Sequence, residues 1–286
     1  MFKKPIQIWQ QISKKKTHSL KQISKKSSAI FGISKRQKFV ASVVILSLIL
    51  FFSEQLLGRE GIYITFLLAF LTGLFLFWAE KEDLKGNFSP QIFILPLFYT
   101  IACALFYFLV PARFLTRIGM TSLYALGLYS LLLSENIFIV SSIRTIALLS
   151  SARTVSFIVT LLSYFFLANV VFALHLNVIL TLAFIFVFSF FLIMHSIWTH
   201  TLENDIRSHS EWVLMIAVCI LEIAFVLWFW PAAPTIIGLF LTGLFYILIG
   251  ISQIWLDKRL FKGVMWEYIW VGVIIFLVFV TFSTRS

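Results

Sequence analysis

The sequence predicts an all-α, polytopic membrane helix bundle with nine spans. Of the 286 residues, 60% are hydrophobic and only 12% charged, against roughly 25% charged in an ordinary soluble domain. Apolar runs of about 18 or more residues recur along the chain, each long enough to cross a bilayer core of about 30 Å as a helix. Between them lie only short polar segments, which leave no room for a folded extramembrane domain. The spans fall near residues 39–53, 61–79, 91–110, 118–134, 155–174, 177–198, 212–230, 235–255 and 264–282.

The chain divides into a basic tail, 1–38, and a nine-span membrane domain, 39–286. The tail carries 11 of the 23 Lys and Arg residues and no acid, so the membrane domain keeps 12 basic residues against all 12 acidic ones. The net charge of +11 therefore belongs to the tail alone. Gln11-Ile12-Ser13-Lys14, Gln22-Ile23-Ser24-Lys25 and Gly32-Ile33-Ser34-Lys35 echo one another along it. At helical spacing Trp9, Ile12, Leu20, Ile23 and Ile30 share an arc of about 80°. This pattern predicts an amphipathic segment on the inner leaflet, with Lys14, Lys15, Lys16, Lys25, Lys26, Lys35 and Arg36 against anionic lipid headgroups. The other reading is a disordered tail that only sets topology. Nucleic acid is not an expected partner, because the tail has neither an Arg-rich nor an aromatic-interleaved pattern. The segment before the first span is too long for a signal peptide, and Ser53-Glu54-Gln55 offers no small-residue cleavage site.

Lys and Arg predict the orientation. With the tail inside, Lys81, Lys85, Arg144, Arg153, Arg207, Lys258, Arg259 and Lys262 join it there. Only Arg59, Arg113, Arg117 and Arg285 fall outside. The expectation is an N-terminus in the cytoplasm and a C-terminus outside. Trp78, Trp198, Trp212, Trp255 and Trp266 then mark the inner interface, and Trp228 and Trp230 the outer one. Pro231 and Pro234 separate spans seven and eight, and Pro96 is expected to kink span three.

Phe70-Leu71-Thr72-Gly73-Leu74-Phe75 in span two recurs as Phe240-Leu241-Thr242-Gly243-Leu244-Phe245 in span eight. A 3+3+3 arrangement, with spans 1–3 and 7–9 as parallel repeats, would explain it; chance within a restricted alphabet is the competing reading.

Two places within the membrane domain carry chemistry. Glu222 sits in the middle of span seven, where a carboxylate costs about 2.5–3.5 kcal/mol on insertion scales. It reads either as a titrating group of a transporter or as hydrogen-bonding glue to a Thr, Tyr or Ser of a neighbouring helix. Glu135 ends span four and precedes Arg144 and Arg153, which suggests an Arg pair gripping a phosphate headgroup with Glu135 orienting it. Ser150 or Ser151 would cap the following helix. Ordinary positive flanking explains the same residues. His195 and His200 are five apart and do not share a helix face, so no metal pair is expected from them. Cys103 and Cys219 read as buried small hydrophobes. No HExxH, paired carboxylates, Gly-rich phosphate loop or Ser–His–Asp set can be assembled, so neither catalysis nor a cofactor is expected.

The stretch from Ser134-Glu135-Asn136-Ile137-Phe138 through Ser142-Ile143-Arg144-Thr145-Ile146 to Ala152-Arg153-Thr154-Val155 resembles uncharacterised multi-pass membrane proteins of bacteria with reduced genomes. The resemblance spans about 20 residues. It implies a bacterial cytoplasmic membrane and brings no activity. The expected role is non-catalytic binding or scaffolding there, toward an anionic lipid, a membrane-protein partner or a second copy. The alternative is an ion-coupled small-solute transporter built on Glu222.

Overall fold

The computed structural model describes residues 34–57, 62–81, 89–111, 113–141, 147–202, 209–258 and 261–283. Among them all regular elements are helical: α1 (Lys35–Leu57), α2 (Ile62–Glu80), α3 (Ile94–Leu109), α4 (Phe114–Ser141), α5 (Leu149–Ala173), α6 (Val178–Thr201), α7 (Ser210–Trp228), α8 (Pro234–Leu256) and α9 (Lys262–Ser283). These nine helices match the nine expected spans one for one, and each is long and apolar enough to cross a membrane. The protein is an all-α, multi-pass membrane helix bundle. The largest boundary difference is at α4, which runs beyond both ends of the expected 118–134 and takes Glu135 and Asn136 inside the helix.

Two compact units divide the chain, Met1–Lys38 and Phe39–Ser286. In the first, the Ser34 hydroxyl accepts from the Gln37 amide at 3.4 Å while Gln37 Oε1 accepts from the Ser34 amide at 2.9 Å. This reciprocal capping box starts α1 by satisfying two otherwise orphaned donors. Lys35 and Arg36 lie in the first helical turn. Lys14, Lys15, Lys16, Lys25 and Lys26 lie outside the described residues.

In the second unit α5 is the hub: it packs against α3, α4, α6 and α8. Its span is 67% buried, against 6% for α9. Small and hydroxylated residues make this possible, with Ala152, Ser156, Thr160, Ser163, Ala168 and Asn169 all buried along it. In lipid there is no hydrophobic force between helices, so close packing and interhelical hydrogen bonds hold the bundle. Thus Asn169 Nδ2 donates to Thr235 Oγ1 of α8 at 3.0 Å, and the Tyr164 hydroxyl meets Ser189 Oγ of α6 at 3.1 Å. Gly238 brings α8 so close that a Cβ there would stand 3.2 Å from the Asn169 amide nitrogen.

Two local expectations are corrected. Pro96 falls in the first turn of α3, where its missing N–H has no intrahelical partner to lose; the irregularity is a 3₁₀ turn, Pro90–Phe93, leading into the helix. Neither Ser150 nor Ser151 caps α5: Leu148 holds the N-cap position without a side-chain bond, because the helix starts earlier than those serines require.

The two hexapeptides behave alike in one respect. Gly73 of α2 faces Leu97 of α3, and Gly243 of α8 faces Ile275 of α9, so each glycine sits at the contact with the next helix. The threonines differ. Thr72 Oγ1 meets Thr100 Oγ1 of α3 at 3.1 Å, whereas Thr242 bonds the Gly238 carbonyl within its own helix.

Candidate functional site

Polar side chains collect at the end of the bundle where α4, α6 and α8 finish and α5 begins. The deepest part is a pair. His195 Nε2 of α6 lies 3.0 Å from Glu135 Oε1 of α4, and both side chains are 0% exposed. Each residue stands six positions before the end of its helix. Because α4 and α6 run the same way through the bundle, the two reach the same depth. Phe138 of α4 stacks edge-on against Trp198 of α6 alongside, with ring centroids 6.1 Å apart. Glu135 Oε2 and His195 Nδ1 have no hydrogen-bond partner among the described residues.

Nearer the end, Arg153 of α5 crosses to the C-terminus of α6. Its Nε donates to the Thr199 carbonyl at 3.0 Å and its Nη2 to the His200 carbonyl at 2.6 Å. Those carbonyls belong to the last turn of α6 and have no intrahelical donor, and a cation is favoured at that end of the helix dipole. Leu202 closes α6 in the left-handed region, with φ 53°, and its N–H returns to the Trp198 carbonyl at 2.7 Å. His200 Nε2 in turn lies 2.8 Å from Asp257 Oδ1, just past α8.

Arg153, His200 and Asp257 line a cavity of about 340 Å³ together with Ser150, Thr154, Thr160, Ser196, Thr199 and Gln253. By volume that is roughly ten waters' worth of space. Arg153 has five N–H donors, and two of them go to the α6 carbonyls, which among the described residues leaves three for a ligand. Ser196 Oγ is buried and has no partner among the described residues. Among the described residues Asp257 Oδ1 is engaged by His200 Nε2, and the Arg153 guanidinium with the surrounding hydroxyls makes a donor set suited to an oxyanion.

A family described as "Protein of unknown function (DUF5656)" matches residues 42–282. The chain belongs to this family. The match takes in every residue of the polar cluster and leaves out the basic tail. No curated protein and no solved structure is detectably similar to the chain.

The expected site residues of this family member separate. Arg153 lines the cavity, while Arg144 lies outside the described residues. Glu135 does not orient Arg153: it is buried deeper and bound to His195, because α4 continues past it instead of ending there. Glu222 is exposed on the outward face of α7, and among the described residues it has no hydrogen-bond or ion-pair partner. Cys219 is exposed as well, where a buried thiol was expected, whereas Cys103 is buried. No group of three or more His, Cys, Asp and Glu side chains that could hold a metal occurs among the described residues.

Sequence reasoning missed His195, His200 and Asp257. The two histidines indeed face different ways, but each finds a carboxylate, 60 and 57 residues distant in sequence. Matching depth between helices that run the same way would have paired Glu135 with His195. Nothing in the sequence marks Asp257 as the partner of His200.

Proposed function

We propose that this protein acts in the bacterial cytoplasmic membrane by non-catalytic binding, and that the cavity around Arg153 takes the phosphate of an anionic lipid headgroup. The observation that carries this reading is the Arg153 guanidinium itself, fixed by two backbone carbonyls with, among the described residues, three N–H groups left in a polar cavity. Charge-assisted, planar donation of this kind suits phosphate recognition. The distribution of Lys and Arg supports an N-terminus inside and a C-terminus outside, which puts the cavity at the inner leaflet. The basic tail then adds a second, sequence-independent attraction to the same leaflet, at about 1 kcal/mol per basic residue near the surface.

The test is the lipid that stays with the purified protein. Mass spectrometry of the full chain extracted from its membrane should find an anionic phospholipid bound to the wild type. Arg153→Gln should lose that lipid while the protein still purifies as a folded species. Equal retention by wild type and Arg153→Gln would reduce Arg153 to a cap on α6.

A further inference from the structure

We propose that the outward face of α7 is a self-association surface on which Glu222 meets the same residue of a second copy. Three observations lead there. Glu222 lies on the exposed side of α7 among Val218, Cys219, Phe225 and Val226, all exposed. It stands three residues from the midpoint of Ser210–Trp228, about 4.5 Å along the axis at helical rise, so its surroundings in the monomer are hydrocarbon. Its carboxyl has no protein partner among the described residues, whereas the other deep glutamate, Glu135, is paired.

A lone polar group facing lipid is costly, and the cost is removed by a hydrogen-bonding partner at the same depth. The partner's identity follows from chemistry and symmetry. In its acid form a carboxyl has one O–H donor and a carbonyl acceptor, so it is complementary to itself. Every copy of the chain inserts with one orientation, and a two-fold axis along the membrane normal brings equal depths together. A two-fold interface is built from one patch used twice. The two Glu222 carboxyls then exchange a reciprocal pair of hydrogen bonds, which no apolar helix face of another protein supplies.

Cys219 makes the contact measurable. It sits one turn from Glu222 on the same face and is exposed, while Cys103 is buried. In a parallel α7 pair the two Cys219 residues approach at the two-fold axis, within the roughly 4.4–6.8 Å Cα separation that a disulfide tolerates. The experiment is mild oxidation of the full chain in native membranes, read on a non-reducing gel. Wild type should give a disulfide-linked dimer that Cys219→Ser abolishes. Glu222→Gln should keep it, because an amide also carries donor and acceptor. Glu222→Leu should lower the dimer yield about tenfold, the size expected from losing two interhelical hydrogen bonds in a membrane. At a detergent dilution where both are monomeric, thermal unfolding of Glu222→Leu should match the wild type, which separates loss of association from loss of fold. Absence of the wild-type dimer would overturn the proposal and hand the face to lipid or another protein. Cross-linking of Glu222→Leu at the wild-type level would also overturn it, as would Glu222→Gln behaving like Leu.

Discussion

Glu135 and Glu222 are the same side chain in two apolar helices, each six residues before its helix ends, and the bundle treats them oppositely. Glu135 is buried and bound to His195 across the gap between α4 and α6. Glu222 points away from the bundle with no partner among the described residues. The difference lies in what stands opposite. α4 and α6 both pack on α5 and present their polar residues inward at one level. α7 turns Ile216, Ala217, Ile220 and Ala224 inward and leaves its carboxylate on the other side. An intramembrane charge is thus not one kind of signal: it marks an interior bond in one case and an outward surface in the other.

The largest effect should come from breaking the interior pair. His195→Ala or Glu135→Ala leaves its partner buried and uncompensated, and should destabilise the fold by about 3–5 kcal/mol, measured by thermal or denaturant unfolding in detergent. Replacing both residues with leucine removes both desolvation costs and should recover most of that loss. A double variant as unstable as the sum of the singles would mean that the pair is not an energetic unit.

A smaller effect should follow the same inside-to-outside rule in two glycines of α4. A Cβ on Gly127 would run into the Tyr99 ring, whose hydroxyl donates to the Leu123 carbonyl at 2.8 Å. Gly127→Ala should therefore cost about 1–3 kcal/mol. Gly119 has nothing within 4 Å of its Cβ position, and Gly119→Ala should stabilise by about 0.5–1 kcal/mol through reduced backbone freedom. Unfolding of the two variants side by side checks the sign as well as the size.

The smallest expected change is at Glu222. In the isolated monomer Glu222→Leu should shift stability by no more than about 0.5 kcal/mol, measured in the same unfolding assay. A loss comparable to that of His195→Ala would show that Glu222 holds the bundle itself, and the contrast between the two glutamates would fail.

Much of the fold was legible because hydrocarbon is a strict solvent. Every spanning backbone group must be bonded within its own helix, so uninterrupted apolar stretches name the helices without knowledge of their neighbours. That is why each of the nine expected spans has its helix, even where, as at α4, the helix runs beyond the expected ends. Within the candidate site Arg153 could be read from its position just before an expected span. Its partners could not, because it bonds the backbone carbonyls of Thr199 and His200, and every residue has a carbonyl. His195 was dismissed on a rule for one helix face, although its partner stands on another helix.

The sequence by itself determined the nine helices, the split between a charged tail and a formally neutral membrane domain, and the residues whose burial in lipid needs an explanation. These follow from composition and local spacing, which act along the chain. Only the tertiary structure decided which way each helix turns, and so which polar residues meet. That choice depends on close packing around α5, where small residues such as Gly238 and Ala168 permit approach, and rotation of one helix face moves a carboxylate from a buried pair to an outward surface.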